Sequence, residues 1–140
     1  MIKIDVFVKD KNWKNYISNP NKYFNKQAKK INLNFLLKAK YINFSILLAG
    51  NKEIKTFNKK FRKKNKITDV LSFPYSTPSE IREKKKINRK VYLGDIILNL
   101  YKIDKRKNKF KNEFNKLWVH GLVHLLGYKH YKNIDFFKMR

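Results

Sequence analysis

The chain has 140 residues, enough for one domain, and 42% of them are hydrophobic and 15% aromatic, so a packed core is expected despite the charge. It carries 35 basic against 10 acidic side chains, a formal charge of +25. Such a surface attracts polyanions, chiefly nucleic acid or anionic lipid, although drift toward A/T-rich codons would produce the same excess of Lys, Asn, Ile, Phe and Tyr. There is no cysteine, which excludes disulfides and thiolate metal sites, and no apolar run long enough to span a membrane or to act as a leader. The expectation is a soluble cytoplasmic protein with a basic face.

In chain order, Ile2, Ile4, Val6 and Val8 alternate with polar residues and predict a half-buried strand over 2–8. The stretch after Pro20, to residue 39, is helix-like. Residues 41–50 are β-branched and aromatic up to Gly50, and read as a second strand. Ile54, Phe57 and Phe61 recur at i, i+3 and i+7, which describes an amphipathic helix over 51–64. Residues 69–75 form a short strand, ended or kept at an edge by Pro74. Residues 76–90 are polar and basic and are expected to be a mobile loop. Residues 91–98 make a further strand, with Gly94 as a candidate bulge. A long helix starts near Lys109. Phe110, Phe114, Leu117 and Trp118 open its apolar face, and from Trp118 to Leu126 apolar residues surround it, so it is expected to be central and buried. Strands and helices mix without strict alternation. The fold class is therefore α+β, a single small domain over 1–140 with a mixed β-sheet of about four strands packed on helices.

All three histidines fall in "HGLVHLLGYKH", residues 120–130. His120 and His124, four apart on a helix, share a face one turn apart, the geometry two imidazoles need to grip one cation. Gly127 is suited to end the helix in a left-handed turn, after which His130 can supply a third ligand from another direction. Three protein ligands leave a fourth position open, as catalytic zinc sites do. Ligand type alone also admits nickel, copper or iron, and the plain alternative is three ordinary core histidines. Helical zinc proteases place Glu directly after the first His; Gly121 stands there, with no side chain to move a proton, so a peptidase is disfavoured. Gly121 is expected instead to let another segment approach the helix.

These residues resemble the YbeY family, single-domain bacterial endoribonucleases that mature small-subunit ribosomal RNA. The family's His-Gly-x-Leu-His-Leu-x-Gly-Tyr-Asp-His stands as "HGLVHLLGYKH", with Val123 for Leu and Lys129 for Asp. "TDVLSFP" (68–74) is intact, Asn58 and Arg62 stand four apart in "FNKKFR", "LGDI" occupies 93–96, and Met139 follows His130 by nine. The resemblance implies one Zn²⁺ held by His120, His124 and His130 on a central buried metal-binding helix, zincin-like in character. It implies Arg62 as the essential arginine beside the metal. Lys129 is expected to carry its ammonium out to solvent on its long stem.

The function expected from this is a zinc-dependent, single-strand-specific endoribonuclease acting in small-subunit ribosomal RNA maturation and ribosome quality control. It would act as a monomer on ribosomal RNA or the small subunit. Arg62 is the catalytic candidate, able to pair bidentately with phosphate oxygens; Asn58, Arg62 and Ser72 are candidates for holding substrate. Asp69 reads as a strand-end hydrogen-bonding residue, and Asp95 as an acid able to orient a ligand or a water. The alternative function is a non-catalytic ribosome-assembly factor that binds RNA and uses zinc structurally.

Overall fold

The computed structural model describes residues 2–31, 41–86, 90–106 and 108–127. In chain order these form β1 (Ile2–Val8), α1 (Pro20–Ala28), β2 (Ile42–Ala49), α2 (Asn51–Arg62), β3 (Val70–Pro74), α3 (Pro78–Lys86), β4 (Val91–Asn99) and α4 (Phe110–Leu125). The sheet runs β1-β2-β4-β3, with β1, β2 and β4 parallel and β3 antiparallel to β4. The expected mixed sheet of four strands in an α+β domain is therefore present. Among the described residues helix and strand do alternate strictly, because the segment read as a loop over 76–90 contains α3.

Local signals account for that helix. Glu80 N–H donates to the Thr77 hydroxyl and Thr77 N–H to the Glu80 carboxylate, both at 3.1 Å. This reciprocal cap, with Pro78 at the first helical position, satisfies two amides that would otherwise lack partners. Ile81 then anchors the helix in the core. "TPSE" was the legible start signal, hidden under the Lys-rich composition of the segment. The helix-like stretch after Pro20 is a helix as far as Ala28, with Asn19 accepting from Lys22 N–H as its cap; residues 32–40 lie outside the described residues.

Strand alternation divides the core in two. Phe44, Ile46, Leu48, Ile96 and Leu98 face one side, under α1 and α4, in a cluster that also takes Trp13, Phe24, Phe114 and Trp118. Leu47, Ala49, Leu71 and Ile97 face the other side, under Ile54 and Phe57 of α2. The period of two in the strands puts neighbours on opposite faces, so both sides of the central strands β2 and β4 must be apolar. On the open edge of β1, the Asn25 side chain bonds both the N–H and the carbonyl of Ile4 at 3.1 Å, as a neighbouring strand would.

Gly94 is a bulge, as expected. Asn43 pairs with Tyr92 and Ser45 with Asp95, so two steps of β2 oppose three of β4. Its φ is +138°, and a Cβ there would lie 2.2 Å from the Phe73 carbonyl oxygen, which leaves only glycine.

Helix α4 is buried on one face at Phe110 and Phe114 and nearly all round from Trp118 on, at Trp118, Val119, Gly121, Leu122, Val123 and Leu125. Gly127 follows it at φ +89°, the left-handed turn that the sequence predicts. No described helix is long and apolar enough to cross a membrane.

Candidate metal centre

His120 and His124 project from the same side of α4, both half-buried. Their Nε2 atoms are 2.8 Å apart and the rings meet at 80°. Two imidazole nitrogens aimed at one point either share a proton or flank a cation. Zinc held tetrahedrally at 2.0–2.1 Å sets its nitrogen ligands about 3.3 Å apart, so a small rotation of either ring fits this pair to it. Burial holds the His124 imidazole below its usual pKa, helped by the charges of His120 and Arg62. A lowered pKa keeps the ring neutral near pH 7, the form that can act as a ligand. His130, Lys129 and Met139 lie outside the described residues.

Arg62 approaches the helix of this pair from the far side of the sheet, through Ser72. It is the last residue of α2, which packs on the face opposite α4. Hydrogen bonds from Tyr75 N–H to Leu93 and from Asn99 N–H to Asp69 set the register of β3 on β4. In that register Ser72, opposite Ile96, occupies a position whose own N–H and carbonyl point to the open edge. Arg62 Nη2 donates to that carbonyl at 3.0 Å, and its guanidinium lies over the Phe73 ring at 5.7 Å. The Ser72 hydroxyl donates to the Gly121 carbonyl at 3.3 Å. Two bonds through one residue thus tie Arg62 to the helix beside His120.

Gly121 makes the approach possible. A Cβ there would sit 2.8 Å from Ile96 Cγ2 and 3.2 Å from Ser72 Oγ. The expectation that Gly121 admits a close neighbour is met by β3 and β4 together.

A family model described as Endoribonuclease YbeY matches residues 7–140. The Endoribonuclease YbeY of Pelagibacter ubique is 43% identical over 99% of this chain and 90% of its own length. That of Ehrlichia canis is 33% identical over 96% and 83%, and that of Buchnera aphidicola 40% identical over 79% and 68%. The chain belongs to the endoribonuclease YbeY family. A protein of Thermotoga maritima, known from a solution structure, is 21% identical, with a TM-score of 0.47 over 95% of this chain and 77% of its own.

The remaining candidates sort by geometry in this YbeY-family protein. Asn58 is buried, donates from Nδ2 to the Lys66 carbonyl at 3.1 Å, and accepts on its own carbonyl from Lys64 N–H. It thereby shapes the turn after α2, where Lys63 adopts φ 54°. Ser72 is buried, with its hydroxyl engaged on Gly121. Asp69 bonds Asn99 N–H through its carbonyl at 2.9 Å, strand-end bonding as read.

Asp95 is a correction. Strand alternation puts it on the face of β4 opposite Ile96, away from α4, where Tyr92 donates a short hydrogen bond to its carboxylate. It therefore cannot orient a ligand of the histidine pair. Burial, together with Asp95, pushes the Tyr92 phenol up to about 12.

One feature escaped the sequence reading. The period that sets Phe61 on one apolar stripe with Ile54 and Phe57 predicts burial, yet Ile54 is buried and Phe61 is 57% exposed. The available signal was the flanking pattern: Phe61 sits between cations in the last turn of the helix.

Proposed function

We propose that this protein is a zinc-dependent, single-strand-specific endoribonuclease acting in the maturation of small-subunit ribosomal RNA and in ribosome quality control, as a cytoplasmic monomer. Family membership makes it a nuclease, and so a hydrolase. The observation that carries the finer reading is the link from Arg62 through Ser72 to the Gly121 carbonyl, next to His120 on α4.

His120, His124 and His130 would hold the zinc, which when bound supplies Lewis acidity toward a phosphoryl oxygen and lowers the pKa of water at the site. The guanidinium of Arg62 is a planar fork of five N–H donors, of which Nη2 binds Ser72. Its other donors are available to two oxygens of a phosphate, where positive charge is worth most as the phosphorane forms. Ser72 and Asn58 act by positioning. Ser72 fixes the carbonyl that aims Arg62, and Asn58 fixes the turn that follows it. Gly121 offers no proton-transfer group beside the metal helix, which argues against peptide hydrolysis.

The test compares wild type, His124→Ala and Arg62→Lys for bound zinc, RNA affinity and cleavage of single-stranded against duplex RNA. His124→Ala is expected to lose zinc and cleavage together. Arg62→Lys should retain zinc and RNA affinity, since one positive charge is kept, while cleavage falls by about 10²-fold or more. If the Lys variant cleaves at the wild-type rate, the transition-state role of Arg62 is wrong. Wild-type protein that binds zinc and RNA without cutting either substrate would favour the assembly-factor reading.

A further inference from the structure

Beside Arg62 lies an aromatic cluster that the proposed chemistry does not use. Phe57 and Phe61, one turn apart on α2, stack at 5.9 Å with 17° between ring planes. Phe73 of β3 meets Phe61 edge-on at 5.5 Å and Phe57 at 6.4 Å. The cluster grades from core to solvent: Phe57 and Phe73 are half-buried, while Phe61 is 57% exposed. Its apolar contacts hold the Phe61 ring in place without covering it.

The surroundings of that ring are cationic. Residues 59–66 read "KKFRKKNK", six cations and no acid in eight positions, all of them exposed. Lys60 Nζ lies 5.4 Å from the Phe61 ring centre, and the Arg62 guanidinium 5.7 Å from that of Phe73. A groove for an apolar protein segment would not be ringed with ammonium groups. An exposed, braced aromatic ring among backbone-neutralising cations is how proteins hold unpaired bases.

We propose that Phe61, braced by Phe57 and Phe73, is a stacking subsite for an unpaired RNA base next to the phosphate that Arg62 engages. This rests on the endoribonuclease reading and deepens it by naming what selects a single strand. The steps from Arg62 to Phe73 and from Phe73 to Phe61 keep the Phe61 ring within about 11 Å of the guanidinium. A nucleotide adjoining the engaged phosphate spans that distance. A base locked in a duplex cannot turn to this ring, so stacking favours unpaired RNA.

The test uses a single-stranded RNA oligonucleotide carrying 2-aminopurine, whose emission falls when it stacks, read in the binding phase of a stopped-flow trace before turnover. Wild type and Phe61→Tyr should quench it. Phe61→Leu, apolar but without a π face, should lose the quench and bind about tenfold more weakly. On cleavage, Phe61→Leu should raise KM by a similar factor and leave kcat on saturating RNA unchanged. Because Phe61 is mostly exposed, its circular dichroism and Tm should match wild type. Quenching and KM equal to wild type in the Leu variant would overturn the subsite. Equal losses in the Tyr and Leu variants would also overturn it, since Tyr keeps the ring. A wild type that quenches but never cleaves would instead overturn the nuclease reading and leave the subsite standing.

Discussion

Gly121→Ala should destabilise the protein although it replaces the second-worst helix former with the best. Intrinsic propensity alone would make the change favourable by about 1 kcal/mol. Against it stands the contact. The new Cβ would meet Ile96 Cγ2 at 2.8 Å, where carbon pairs are comfortable only near 3.5–4.0 Å. Ile96 cannot yield cheaply: it is fully buried on β4, between β2 and β3. Overpacking of this kind costs about 1–3 kcal/mol, so the net loss is about 0–2 kcal/mol after the propensity gain. Urea unfolding followed by the emission of Trp13 and Trp118, both fully buried, measures it directly. A matching drop in Tm of up to roughly 8 °C is expected for a chain of this size. The relief should be specific. In an Ile96→Ala background both γ carbons are gone, and Gly121→Ala should become neutral or stabilising, a coupling of about 1–3 kcal/mol. If Gly121→Ala stabilises the wild-type chain, the close approach of α4 to β3 and β4 is refuted, and with it the bond that ties Ser72 to the helix beside His120.

Three further outcomes follow from the same geometry. RNA affinity should fall steeply with salt, by several powers of ten between about 50 and 200 mM if six or more phosphates are neutralised; a binding constant indifferent to salt would mean that the +25 charge is compositional drift. Tyr92 should titrate near 12 by its phenolate absorbance, and its folded pKa above the unfolded value of about 10 means stability is intact below pH 10 and is lost as pH rises from 10 toward 12. Tyr92→Phe should flatten that alkaline loss; an unchanged profile would show that the bonds of Tyr92 to Asp95 and Ser45 do not persist in solution. Thr77→Ala should cost about 1 kcal/mol through the lost cap of α3, read by denaturant unfolding, and no change would place the start of that helix elsewhere.

Much of this molecule is local, and what is local was legible. β1 follows from alternation and the other three strands from short apolar runs bounded or marked by Gly50, Pro74 and Gly94, α2 and α4 from their helical periods, and the left-handed turn at Gly127 and the bulge at Gly94 from the residue type that best tolerates them. The facing of His120 and His124 follows from a spacing of four and needs nothing beyond the helix. The cap of α3 is equally local, but its signal "TPSE" stands beside a run of lysines that reads as loop.

The tertiary structure decided what depends on which face of the sheet is which. Asp95 looked well placed for the metal by its neighbours in sequence, but a bulge and a period of two turn it to the side that α4 does not touch. Arg62 lies on a helix packed against that same wrong side, and is tied to the helix beside His120 only because β3 is the sheet edge and the Ser72 carbonyl points outward there. Phe61 fits the core period of α2, yet Phe57 and Phe73 cover its ring only in part and most of it is left in solvent. Spacing along the chain specifies which residues share a helix or strand face. It carries no term for where an element stops being covered, or which edge of a sheet stays open, because those follow from how separate segments pack.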